Sequence, residues 1–251
     1  MLLITLKNTR KMRTNLQQII DEQPRQHTAG WYKVRLGKFT GSQVGRLMKK
    51  GRGKDAEWSA DALTYIKEVV AERLINPVVL DVPDLFDQWL DFSVTGSKMT
   101  AWGNDQEDNA LQAYTALTGN KVTHCGSLPH ETLANFWDSP DGLVMEHNKV
   151  VEVKCPAPKT HAEYLLNVHD AEGLKAINPQ YYWQVMAHMA NTGAQACDWM
   201  SYCPFLKPAL HVVTIERNED EIAQLEERIA LADAIATEWT LKAQHQKKPA
   251  E

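Results

Sequence analysis

Apolar side chains recur at helical spacing through the N-terminal half of the chain. From Ser59 to Leu74 the stripe is Ala62, Leu63, Ile66, Val69, Val70 and Leu74, the mark of an amphipathic helix turned toward a core. Asp61 falls in its first turn, where the helix dipole favours an anion. The same spacing predicts a helix over Asn104–Leu117, with Ala110, Leu111, Tyr114 and Leu117 on one face and Gly119 as the stop. Shorter helices are expected over Thr40–Lys50 and Leu85–Phe92. Beyond residue 120 the period changes. Lys121–Cys125, Gly142–Met145 and Lys149–Lys154 read as strands, the last two joined through Glu146, His147 and Asn148 as a hairpin. Thr160–Asn191 reads as helix interrupted near Asn178-Pro179, and Ala196–Tyr202 and Leu210–Ile215 read as strands. Glu219–Lys242 closes the pattern as a helix with Ile222, Leu225, Ile229 and Ala232 buried. This order predicts an α/β fold in the broad sense, a mixed sheet flanked by helices.

The length of 251 residues, 43% hydrophobic and 24% charged, is that of an ordinary globular chain. We read one domain over 1–251, divided into an N-terminal extension and helix (1–30), a helical basic part (31–100), a core (101–217) and a C-terminal helix and tail (218–251). The nearest thing to a linker is Asn76–Asp84, with Pro77 and Pro83. No apolar run is long enough to span a membrane. The four cysteines form no C-x-x-C pair, so a reducing, cytoplasmic setting is expected.

A net charge of -5 excludes a chain that coats nucleic acid through its overall charge. Residues 31–54 depart from that balance. They carry Lys33, Arg35, Lys38, Arg46, Lys49, Lys50, Arg52 and Lys54, and no Asp or Glu. With Gly51 and Gly53 between the charges, the stretch reads either as a loop that meets a phosphate backbone or as a solvated, lysine-rich helix end.

The chemistry concentrates at Ser139-Pro140-Asp141-Gly142 and Glu152-Val153-Lys154. Side chains alternate along a strand, so Glu152 and Lys154 share one face while Val151, Val153 and Cys155 take the other. The hairpin brings Asp141 beside Glu152. Two converging carboxylates, with the Val153 backbone carbonyl, suit a hard cation such as Mg²⁺, and Lys154 stands where it can hold or deprotonate an attacking water. An Asp followed by E-x-K arises by chance in about a third of unrelated chains of this size, so the pattern alone also fits a solvated hairpin with a Glu–Lys pair. Glu107 opens a predicted helix and Gln184 lies on another; each has a bland alternative, as dipole compensation and as a polar residue on a packed helix. His124, His188 and His211 have no metal-ligand spacing, and Cys155 reads as core. No P-loop is evident, and no Ser-His-Asp arrangement.

Six blocks in order carry a resemblance. They are Trp31–Gly37 with Thr40-Gly41-Ser42, Ala101-Trp102-Gly103 with Glu107, Ser139–Gly142, Glu152–Pro156, Tyr181-x-x-Gln184-Val185, and Leu210–Val213 leading into Ile215-Glu216-Arg217. From about Trp31 to Glu227 the chain resembles the lambda-type (YqaJ-like) phage exonucleases of the PD-(D/E)XK nuclease superfamily. The resemblance implies a restriction-endonuclease-like core and a recombination exonuclease that degrades one strand of linear double-stranded DNA from its 5′ end. The products would be 5′-mononucleotides and a 3′ overhang.

By the same resemblance Asp141, Glu152 and the Val153 carbonyl hold two Mg²⁺ ions, with Mn²⁺ as the alternative, and Glu107 completes the site through water. Lys154 is the catalytic lysine, and Gln184 positions the nucleophile or scissile phosphate. Arg35, Ser42 and Ser139 bind the 5′-phosphate. Arg52 reaches into DNA, with Arg46, Lys49, Lys50 and Lys54 beside it. The resemblance further implies a ring-shaped homotrimer, a single-strand annealing protein as partner, and a phage or prophage origin in a bacterial host. The family's strand-splitting wedge falls near Met99-Thr100, where only Met99 is bulky and apolar. An endonuclease or single-strand nuclease on the same core, or a non-catalytic DNA-end-binding recombination partner, are the alternatives.

Overall fold

The computed structural model describes residues 12–52, 57–93 and 98–245, with side chains from residue 101 onward in the last stretch. Helices α1 (Leu16–Glu22) and α2 (Ala29–Arg35) lead into strand β1 (Phe39–Thr40) and the single-turn helix α3 (Gly41–Val44). Helices α4 (Ala60–Arg73), α5 (Pro77–Asp81), α6 (Pro83–Ser93) and α7 (Lys98–Thr118) follow. Strands β2 (Leu128–Pro129), β3 (Phe136–Asp138), β4 (Gly142–Val144) and β5 (Lys149–Lys154) form the middle of the chain. Then come α8 (Pro158–Asn167), α9 (Ala171–Ile177), α10 (Pro179–Thr192), β6 (Ala196–Tyr202), β7 (Leu210–Glu216) and α11 (Glu219–Gln244).

The helix ends follow from local chemistry. The Ser59 hydroxyl accepts the Ala62 N–H at 3.1 Å and starts α4. Asn178 caps α10 by accepting the Tyr181 N–H at 3.2 Å, and Pro179 fills the first position, where no backbone donor is needed. Gly193 ends α10 at φ 76°, a conformation that costs glycine little. Asn218 starts α11 ahead of Glu219, Asp220 and Glu221, whose charges oppose the helix dipole.

Among the described residues the strands form two sheets, β1-β3-β2 and the mixed sheet β4-β5-β6-β7. In the second, β4 and β5 are antiparallel, β5 and β6 parallel, and β6 and β7 antiparallel. The pleat separates two cores. Leu143, Val150, Cys197, Trp199, Val213 and Ile215 pack toward α10, α11 and α4. Val144, Val151, Val153, Cys155 and Met200 face Ala110, Leu111 and Tyr114 of α7. The expected hairpin is present, and Asn148 turns it in the left-handed region at φ 54°.

Four local expectations are corrected. Thr40–Lys50 is not one helix: Phe39 and Thr40 pair with Phe136 and Trp137, and α3 stops at Val44. The aromatic Phe39 and β-branched Thr40 favour the strand, and Gly45 directly follows the last residue of α3. Lys121–Cys125 contributes only a bridge between Thr123 and Leu143, since β4 is three residues long. The proline-containing stretch read as a linker is α5 and the start of α6, with Pro77 and Pro83 each opening a helix. The helical region 160–191 is three helices, beginning at Pro158.

Candidate active site

A cavity of about 740 Å³ opens beside the C-terminal end of β5, lined by residues of α2, α3, α7, α10 and the Ser139–Asp141 loop. The hairpin register opposes Gly142 to Val151, which sets Asp141 alongside Glu152. The Asp141 carboxylate accepts the Val153 N–H at 2.6 Å and is thereby tied to β5. Lys154 forms an ion pair with Glu152 Oε1. Its Nζ also lies 4.5 Å from the centre of the Tyr181 ring, a cation–π contact that fixes the ammonium from the α10 side.

Glu152 has a second partner. Its Oε2 lies 2.7 Å from His188 Nε2, and His188 Nδ1 lies 2.6 Å from Asp138 Oδ2. His188 has no exposed surface, and Asp138 and Glu152 are each 1% exposed. Asp138 in turn packs on Gly41, where a Cβ would come within 1.9 Å of Asp138 Oδ1. Only glycine leaves room for that carboxylate.

Burial alone would raise Glu152, but Lys154 and His188 outweigh it and hold its carboxyl at about 2. Burial would likewise neutralise His188, yet the flanking carboxylates of Asp138 and Glu152 push it to about 10 and keep it an imidazolium. Lys154 is raised too, because Glu152, Tyr181 and Asp141 overcome its burial. Asp141 and Glu107 go the other way. Burial, then the charge of Glu152, lifts Asp141 well above the carboxylate range. Burial, then Glu152 and Asp108, lifts Glu107 to about 7. Thus Glu152 has its cations, whereas Asp141 and Glu107 face a surplus of negative charge.

That surplus is a test of whether a metal fits. Among the described residues no three Asp, Glu, His or Cys side chains form a ready-made cage. Mg²⁺ does not require one, because it binds through one or two carboxylates and keeps waters and substrate phosphate as its other ligands. The hard oxygens of Asp141, Glu152 and Glu107 around one cavity suit such an ion, and its charge would let Asp141 and Glu107 ionise.

The other side of the cavity is cationic. The Arg35 guanidinium lies over the Trp31 ring at 3.7 Å and lines both this cavity and an adjoining one of about 580 Å³. Burial lowers its pKa, and among the described residues no carboxylate forms an ion pair with it. Trp31 Nε1 donates to the Ser139 hydroxyl at 3.0 Å. Gln26 Nε2 donates to the carbonyls of Cys125 at 3.1 Å and Pro140 at 2.9 Å, which anchors the loop bearing Ser139 and Asp141. Ser42, Gln184 and Val153 also line the cavity.

The fold therefore brings together Asp141, Glu152, Val153, Lys154, Glu107, Gln184, Arg35, Ser42 and Ser139. The other residues of the basic stretch expected to meet DNA lie elsewhere. Arg46 is held by Asp61 at 2.8 Å and Glu68 at 2.6 Å, Lys49 approaches Asp61 at 3.5 Å, and Lys50 and Arg52 are exposed. None of the four lines either cavity. Lys54 and the side chain of Met99 lie outside the described residues.

Sequence reasoning passed over His188 and Asp138. The available signal was spacing: His188 follows Gln184 by one helical repeat and so shares its face of α10. His27, at φ 63° and 5.3 Å from the Trp31 ring, also lines both cavities.

A family model described as the YqaJ-like viral recombinase domain matches residues 30–195. Among solved structures, the alkaline exonuclease LHK-Exo from Laribacter hongkongensis aligns at 28% identity and a TM-score of 0.69, over 87% of this chain and 97% of that one. Its complex with dAMP aligns equally well, at a TM-score of 0.69. A phage-related exonuclease from Haemophilus somnus 129PT aligns at a TM-score of 0.62 over 85% of this chain and all of that one; at 13% identity, that likeness concerns the fold alone. No curated protein matches. The α/β architecture expected from the chain, with its PD-(D/E)XK-like core, is the one these structures share.

Proposed function

The chain belongs to the YqaJ-like viral recombinase family, and on that footing we propose that it is a metal-dependent exonuclease. It degrades one strand of linear double-stranded DNA from the 5′ end, releases 5′-mononucleotides and leaves a 3′ overhang for recombination. The observation that carries this reading is the convergence of Asp141, Glu152, Lys154 and Glu107 on the cavity that also holds Arg35, Ser42 and Ser139. One wall offers carboxylates and a lysine for hydrolysis. The other offers a guanidinium and hydroxyls for a terminal phosphate.

Asp141, Glu152 and Glu107 would hold Mg²⁺ or Mn²⁺, two ions in the full site, with the Val153 carbonyl as a further ligand. Such ions supply an activated water and neutralise charge on the phosphate. Lys154, kept an ammonium by Glu152 and Tyr181, would orient the water and offset negative charge on the phosphate through its N–H donors. Gln184 presents an amide to the scissile phosphate. Arg35 receives the 5′-phosphate exposed by each cut, which sets the next bond in register and favours processive digestion. The ring-shaped homotrimer and a single-strand annealing partner belong to the same proposal.

The test is a linear duplex labelled at either the 5′ or the 3′ end, with Mg²⁺ or EDTA, beside a closed circle. Early, Mg²⁺-dependent release of 5′ label as mononucleotide with the circle intact is expected. Nicking of the circle would replace the exonuclease by an endonuclease on the same residues, and cleavage of neither substrate would leave a DNA-end-binding protein.

A further inference from the structure

Glu152 is held at both oxygens. Lys154 takes Oε1 and the imidazole of His188 takes Oε2. The terminal torsion of a glutamate is soft and roughly two-fold, so a carboxylate with one partner could turn in place. Two partners on opposite sides prevent it. His188 itself is wholly buried, reaches neither solvent nor substrate, and so is not a catalytic residue.

The chain of contacts continues through His188. Its Nδ1 meets Asp138 Oδ2, and the other oxygen of Asp138 rests on Gly41. Asp138 directly precedes Ser139 and Gly41 directly precedes Ser42, and both serines face the cavity beside Arg35. One buried path therefore runs from the serines, through Asp138 and His188, to Glu152. β3, α10 and β5 each supply one member of it.

We propose that His188 is a positioning residue that fixes the orientation of Glu152 for metal binding and, through Asp138, couples the seating of a 5′-phosphate to that metal ligand. The proposal rests on the metal-dependent reading above. Removing a hydrogen-bond partner behind a metal ligand commonly weakens metal affinity about 10–100-fold. A role confined to folding would lower the melting temperature and leave the affinity of the folded protein alone.

Two substitutions separate the imidazole's nitrogens. In His188→Asn the amide nitrogen takes the place of Nδ1, keeping Asp138 and releasing Glu152. In His188→Gln it takes the place of Nε2, keeping Glu152 and releasing Asp138. The experiment titrates Mn²⁺ alone into each full-length protein by calorimetry, with thermal melting as the check on folding. Rates on 5′-phosphoryl and 5′-hydroxyl duplex ends are then compared. His188→Asn is expected to weaken Mn²⁺ binding about 10–100-fold. His188→Gln is expected to bind Mn²⁺ within a few-fold of wild type while losing preference for phosphorylated ends.

Wild-type Mn²⁺ affinity in folded His188→Asn overturns the positioning role. A full end preference in His188→Gln overturns the coupling. Absence of saturable Mn²⁺ binding in the wild type overturns the metal reading and this proposal with it. Should His188→Asn not fold, Asp138→Asn alters the same path and leaves Glu152 its imidazole. Reduced end preference in that variant supports the coupling, and unchanged preference overturns it.

Discussion

Two regions of this molecule concentrate charge, and the fold treats them differently. Around Glu152 the charged groups lie close together: Lys154 and His188 hold its two oxygens, and Asp141, Glu152, Lys154 and Glu107 line one cavity. Along residues 31–52 the charges disperse. Arg35 enters the cavity on the face of Trp31, Arg46 is consumed by Asp61 and Glu68, and Lys50 and Arg52 stand in solvent. The first region resembles a machine part and the second a surface with one residue drawn inward. Density of charge along a sequence thus says little about shared purpose; the partners of each charge decide it.

The sharpest way to break the comparison is at Lys154. Lys154→Ala should lower kcat by about 10²–10³-fold, the range for loss of a preorganised charged donor, with duplex binding nearly unchanged by fluorescence anisotropy. Near-normal turnover would strip the first region of its role. Arg35→Ala comes next. It should slow 5′-phosphorylated ends about 10–100-fold, the worth of one or two charge-assisted hydrogen bonds, and leave 5′-hydroxyl ends alone. Equal slowing of both ends would remove Arg35 from phosphate recognition.

A pH experiment probes the surplus of negative charge. The folded, metal-free protein keeps a proton on Glu107 up to about 7, whereas the unfolded chain loses it near 4.5. Folded protein therefore binds more protons across that window, so this group makes stability fall as pH rises through it and level off above. Glu107→Gln should flatten the melting temperature against pH in EDTA; a slope identical to wild type would contradict the assignment. The two smallest effects belong to the dispersed charges. Arg46→Ala should cost below about 1 kcal/mol, as partly exposed ion pairs do, and spare end preference. Arg52→Ala should weaken DNA binding uniformly and reduce the salt slope by about one unit.

The parts of the site legible in the chain were those that strand arithmetic controls. Alternation along β5 is local, so Glu152 and Lys154 on one face and Val151 and Val153 on the other needed no fold to be seen. The hairpin was equally local, and with it the approach of Asp141. The contacts of His188 were illegible for the opposite reason. Its partners lie 36 and 50 residues away on other elements, and an isolated histidine on a packed helix carries no sign of them. Strands β2 and β3, two and three residues long, are too short for alternation to register. Yet β3 carries Asp138 and pairs with β1, which holds Gly41 in place. The ion pairs of Arg46 were equally illegible, because Asp61 and Glu68 come from α4, outside the basic run.

The bonds that Gln26 makes to the loop of Asp141 bear on how small this protein can be made. The family-matched span begins at residue 30 and ends at 195, after Gln26 and immediately before β6. A fragment cut to those bounds would lack the side chain that pins the loop from behind. It would also strip β5 of its parallel neighbour, leaving the strand that bears Glu152 and Lys154 with a bare row of amides and carbonyls, an invitation to pair with other molecules. The portion most easily recognised by kinship is therefore not a portion that can be expected to stand alone.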